Sequence, residues 1–148
     1  MARSQLRTLD KRNAVINGQI RQLNDQLLEL PGLSEPQAVP GTERVYYARN
    51  ILLLDEAKAG MSRPAVVRAL KAEGVRANEH SYRLQHTCSI YHEENWWDHK
   101  PVIPELPGAE QVNRTAINVK PCTSEAPELI DQYARAFKKV WAHRAELA

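Results

Sequence analysis

A chain of 148 residues with 20 basic and 18 acidic side chains, formal net charge +2, has the size of one domain, or of a small domain with an appended element. So even a balance excludes a dedicated nucleic-acid binder, because counterion release needs clustered lysine and arginine, and only a mild basic excess marks the start (Arg3, Arg7, Lys11, Arg12). The longest apolar run, "ILLL" at 51–54, is far too short to span a bilayer, and the opening "MARSQLRTLDKRN" lacks the apolar core of a secretory signal; the expectation is a cytoplasmic protein, no membrane partner, and reduced thiols at Cys88 and Cys122.

In chain order, the first element is the clearest. Leu6, Leu9, Asn13, Ile16, Ile20, Leu23, Leu27 and Leu30 alternate steps of three and four, an a/d heptad seam interrupted by one polar residue. This predicts a helix over 1–31, stopped by Leu30-Pro31-Gly32. A helix of about 28 residues is roughly 40 Å long, more than a compact body of this size needs. Two readings of the seam follow. It folds back on the chain's own C-terminal helix, or it meets a partner through Leu6, Leu9, Ile16, Ile20 and Leu23.

The remainder, 32–148, reads as an α+β unit. "PGLSEPQAVPGTE" (31–43) is turn chemistry, and "RVYYARNILLL" (44–54) has the aromatic and branched residues of a strand. Ser62 before Arg63-Pro64 marks a helix start, Val66, Val67 and Leu70 its buried face, and Gly74 its end. "GVRANEHSY" returns extended. Residues 84–108 carry no period and predict an irregular loop. A short helix over 108–115, a strand over 116–120 and a last helix from near Ser124 complete the order. Leu129, Tyr133, Phe137, Val140 and Trp141 form the inner face of that last helix, while Glu128, Asp131, Arg135, Lys138 and Lys139 stay wet. The expected fold is a small three-stranded sheet, mixed or antiparallel, with helices on one side.

The chemistry-bearing residues concentrate in "QHTCSIYHEENWWDHKP" (85–101). His80, His86, Cys88, His92 and His99 have zinc-ligand chemistry, but their spacing lacks the tight pairs of a structural site and the second histidine of a helical zinc-protease motif, so no metal is expected. Cys88 has His86 and His92 nearby in sequence, which does not by itself place them in contact. No nucleophile elbow and no glycine-rich phosphate cradle occurs. None of the seven lysines sits in an apolar run that would desolvate an amine for Schiff-base chemistry. Trp96-Trp97 suits an interface or core anchor better than a ligand-stacking platform. Composition and spacing therefore yield no self-sufficient active site and no catalytic residue.

Taken in order, "QLRTLDKRNAVINGQIRQLNDQLLELPGL", "RVYYARNILL", "MSRPAVVRALKAEGV", "HSYRLQHTCSIY", "LPGAEQVNR" and "APELIDQYARAFKKVWAH" resemble the C-terminal part of the DegT/DnrJ/StrS sugar aminotransferases, over nearly all of residues 3–143. These are fold type I enzymes dependent on pyridoxal phosphate (PLP) that aminate keto-sugars, cyclitols and related natural-product precursors. The resemblance implies a small domain; the family's cofactor lysine and the aspartate that pairs with the pyridine nitrogen belong to a large domain that would precede Arg3. Lys11 falls in the part resembling the inter-domain helix and takes no cofactor role. By the same resemblance, "SYRLQH" aligns Tyr82 and His86 with the tyrosine and histidine of a substrate-side segment, with Arg83 and Gln85 where the family carries prolines. Tyr82, His86, Tyr91, Trp96 and Trp97 would then line the substrate side of a shared site, shaping it and bonding hydroxyl groups.

Two functions from different classes are consistent with this. One is an accessory subunit of a split or heteromeric PLP aminotransferase, the PLP and its lysine supplied by a partner chain. The other is a non-catalytic interaction or metabolite-binding remnant that self-associates through the first helix, with Asn13 setting the register. A metal-dependent hydrolase built on the histidine loop is a third, weaker reading.

Overall fold

The computed structural model describes residues 2–46, 48–93, 98–99 and 101–147. Helix α1 (Ala2–Leu27) is followed by strands β1 (Leu33–Ser34) and β2 (Asn50–Leu54), helices α2 (Glu56–Ala59) and α3 (Arg63–Ala72), and strand β3 (Ala77–Glu79). After two 3₁₀ turns at Gln85–Thr87 and Ser89–Tyr91 come α4 (Pro107–Thr115), β4 (Ala116–Val119) and α5 (Pro127–Ala142).

The sheet is antiparallel throughout, in the order β1-β2-β4-β3. It has four strands among the described residues where three were expected, because Leu33 and Ser34 pair with Leu54 and Leu53 to add a two-residue edge. The strand expected over 44–54 is confined to 50–54. Upstream of it, Tyr46 is drawn away from the sheet: its backbone N–H donates to Asn17 Oδ1 (3.1 Å) and its ring packs on Ile16 and Ile20 of α1.

The pleat sends alternate side chains to opposite faces. Leu52 and Leu54 of β2, Ile117 and Val119 of β4 and Ala77 of β3 face one side, where α1, α3 and α5 bury them. Phe137 and Trp141 stack at 5.9 Å in the middle of that layer. α3 begins as its sequence demands, Ser62 Oγ accepting from Ala65 N. It ends in a paired motif in which Gly74 N donates to Lys71 O and Val75 N to Leu70 O, with Gly74 at φ 84°. Gly32, also left-handed, is more constrained: a Cβ there would lie 2.6 Å from Asp55 O and 2.7 Å from Ala59 N.

The C-terminal half of α1 runs beside α5 in the same direction. Gln19 bonds Ser124 O and Ala126 N ahead of α5, Gln26 accepts from Lys138 within it, and Trp141 Nε1 donates to Pro31 O at its end (2.9 Å). The heptad seam therefore divides. Ile16, Ile20, Leu23 and Leu27 are buried within this chain, at 1% exposure or less, whereas Leu6 is 67% and Leu9 37% exposed. The stretch able to meet a partner narrows to Leu6 and Leu9, and Ile16, Ile20 and Leu23 are spent on the chain's own fold. Helix α1 also stops three residues short of Leu30, which lies half-buried in the turn that follows.

Between α1 and the sheet sits a wholly buried polar pair. Asn24 Nδ2 donates to Asn50 Oδ1 (3.0 Å), and Asn50 Nδ2 donates back to Asn24 Oδ1 (2.7 Å). Asn24 also donates to Glu35 Oε1 (2.5 Å), which takes a second bond from Tyr46 OH (2.9 Å), while Arg21 binds Glu35 Oε2 (3.0 Å). Burial alone would raise the Glu35 pKa; the bonds from Asn24, Tyr46 and Arg21 outweigh it and hold the carboxyl below its ordinary value.

The divided seam makes a direct prediction. Leu23→Ala should lower stability by about 2–5 kcal/mol through the cavity it opens. Leu6→Ala should change it by no more than about 0.5 kcal/mol, as at other exposed sites. Urea unfolding of the two variants distinguishes this from a seam used evenly along its length.

Candidate functional site

The chain leaving β3 is held by α4. His80 N donates to Ala116 O (2.9 Å), prolonging the β3–β4 ladder by one bond. Beyond it, the Asn113 side chain takes over as a strand would: Tyr82 N donates to Asn113 Oδ1 (2.7 Å) and Asn113 Nδ2 to Tyr82 O (2.6 Å). Arg63, at the start of α3, fixes this junction by donating to Asn113 O (2.6 Å) and pairing with Glu79 (3.0 Å).

Tyr82 is thereby presented outward, 57% exposed. His80 meets its ring edge-on at 4.7 Å, and the Arg49 guanidinium lies over the same ring at 4.8 Å. Arg49 Nη1 is 3.4 Å from His80 Nε2. Burial, and then the Arg49 charge, lower the His80 pKa below the ordinary histidine value, favouring the neutral ring whose Nε2 accepts from Arg49.

His86 points elsewhere. Its side chain is 11% exposed, and Nε2 donates to Glu110 of α4 at 3.2 Å. Its Nδ1 is buried with no partner in the described structure. His92 Nε2 donates to the His86 carbonyl (3.0 Å), closing the loop on itself. Cys88 is buried and its thiol donates to Leu84 O (3.6 Å), not to either flanking histidine. Tyr91 is half-buried in the second 3₁₀ turn. Trp96 and Trp97 lie outside the described residues.

Of the residues expected to line a substrate, Tyr82 and His86 are thus near one another along the chain but engage different elements, Tyr82 with Arg49 and His80, His86 with Glu110. Among the described residues no three His, Cys, Asp or Glu side chains converge as a metal site would require. Both cysteines are free thiols. No described helix is long and apolar enough to cross a membrane. Arg49, Asn113 and Glu110 were not singled out in the sequence, since each acts on the loop from 24 to 31 residues away.

Six of the seven lysines lie among the described residues. Lys11, Lys71, Lys120 and Lys138 are exposed, Lys58 pairs with Asp55 (3.1 Å) and Lys139 with Glu73 (2.8 Å), both in the open. A Schiff-base lysine needs a desolvated amine with a depressed pKa. The described lysines, all exposed, do not fit that role.

Comparison with known proteins gives the lineage. The family model of the DegT/DnrJ/EryC1/StrS aminotransferases matches residues 1–134. This chain belongs to that family. Solved structures agree on the fold. The aminotransferase TlmJ of Streptoalloteichus hindustanus is 21% identical with TM-score 0.65, 97% of this chain and 35% of that one being covered. The aminotransferase of Psychrobacter cryohalolentis is 20% identical with TM-score 0.71, covering 97% and 38%. DesI is 20% identical with TM-score 0.72, covering 96% and 34%. The chain spans about a third of the length of these relatives. No curated protein matches it at a significant level.

The His80–Arg49 contact can be checked. Replacing Arg49 with glutamine removes the nearby positive charge, so the His80 pKa should rise toward its ordinary value while burial keeps it from reaching it. An NMR pH titration of the His80 ring reads this; an unmoved pKa would show that Arg49 does not act on the ring.

Proposed function

We propose that this chain is the small domain of a DegT-type aminotransferase whose PLP lysine comes from a separate chain, so that the two share one active site. The observation that carries this reading is the coincidence of a family match over residues 1–134 with described lysines that are all solvated. Tyr82, His86 and Tyr91, with Trp96 and Trp97, would form the substrate side, shaping it and bonding substrate hydroxyls, and no residue of this chain would be catalytic. The exposed Leu6 and Leu9 of α1 would dock on the partner, a large subunit or a full-length paralogue.

The substrate class rests on relatives. The DesI structure was determined in the presence of a TDP-sugar product, and another structural relative is 3-amino-5-hydroxybenzoic acid synthase, 18% identical with TM-score 0.59. Amino-sugar, aminocyclitol or related natural-product biosynthesis is the corresponding role here. One observation favours a second reading, self-association through α1: Leu6 and Leu9 leave the N-terminal end of the seam exposed, where a second copy would pack.

Titrating the purified chain with PLP tests the first reading. It predicts no aldimine absorbance band and no transamination of an amino donor. A stoichiometric adduct, fixed by borohydride and lost on replacing one lysine, would contradict it.

A further inference from the structure

We propose that Arg49, seated on Tyr82 and His80, is an oxyanion-binding position that receives a phosphate or carboxylate group of the ligand on this surface. The inference deepens the substrate-side reading of Tyr82 and rests on it for which ligand arrives; the anion contact itself rests on the geometry of three side chains.

The arginines around this sheet are not all used alike. Arg21 is bound to Glu35 and Asp25, each at 3.0 Å, and Arg63 to Glu79 at 3.0 Å. Arg49 is exposed and has only ring partners among the described residues: the Tyr82 face beneath it and His80 Nε2 beside it. The acids on the adjoining elements are engaged elsewhere, Glu79 with Arg63, and Glu110 with His86 (3.2 Å) and Arg114 (3.8 Å). A guanidinium has five N–H donors in a planar fork. The contact to His80 uses one, and no other hydrogen bond from the guanidinium is found among the described residues.

Nor is this cation free to wander. The Tyr82 backbone is held by the paired bonds to Asn113, its ring meets His80 edge-on, and His80 is 8% exposed and tied to Ala116. An arginine lying over a ring and against a buried histidine has already lost part of its rotamer freedom, so an anion arriving there finds a partly ordered guanidinium. The exposed Tyr82 ring beside it offers a surface for the uncharged part of the same ligand.

The test uses the chain itself, labelled for NMR and titrated with inorganic phosphate and, separately, with acetate, against sodium chloride at matched ionic strength. The expected result is a saturable millimolar shift of the Tyr82 amide and His80 ring signals with at least one anion. Arg49→Gln should weaken it at least fivefold, and Arg49→Lys should weaken it less. A response to phosphate assigns the position to a phosphate-bearing ligand, and a response to acetate alone to a carboxylate-bearing one. Equal response to chloride, or an unchanged response in Arg49→Gln, overturns the proposal. Because no partner is needed, that failure would leave the shared-site reading standing, and failure of the shared-site reading would leave a measured anion contact in place.

Discussion

Two asparagines facing each other in the absence of water set the frame of this fold. Asn24 and Asn50 are fully buried, and each donates to the other, so neither can shift without stranding an amide group. Leaving such a group unpaired costs on the order of 1–3 kcal/mol. A helix packed on a sheet by leucines alone can slide or rotate by a residue at modest cost. Here the reciprocal bond admits one register of α1 on β2, and Glu35, Tyr46 and Arg21 extend the same lock to the connection between β1 and β2. From that register follow the alignment of α1 with α5 and the position at which Trp141 reaches Pro31.

The same lock explains why α1 serves two purposes. Its second half supplies Leu23 and Leu27 to the main core, and Ile16 and Ile20 to a smaller cluster with Tyr46. Its first half lies ahead of Gln19, where α5 has not yet begun, and there Leu6 and Leu9 continue the seam at 67% and 37% exposure. The seam is thus internal at its C-terminal end and exposed at its N-terminal end.

Much of this was legible from local signals. Ser62, Pro64 and Gly74 bracket α3 because capping and the left-handed stop are short-range chemistry, and the inner face of α5 appeared as a 3.6-residue stripe, with Tyr133, Phe137, Val140 and Trp141 buried as read and Leu129 half-buried. The 44–54 segment was overextended because the same aromatic residues suit a strand and a contact with a neighbouring helix; Tyr46 took the second course for reasons 29 residues away, at Asn17. The β1 edge is too short to carry a period. At the candidate site, Tyr82 and His86 are expected only by resemblance to the family, while the residues that hold them were hidden: Asn113 is 31 residues from Tyr82, and Glu110 is 24 from His86. Pairings of that kind are made by topology, and no spacing rule reports them.

On the proposed reading, this family member works with a chain that brings the cofactor lysine. Tagged purification from the native host, with the co-purifying chains identified by mass spectrometry and counted by native mass measurement, addresses it most directly. The account predicts a stoichiometric partner carrying a PLP-binding lysine. A chain that purifies alone as a stable homo-oligomer, with no such partner, would contradict it.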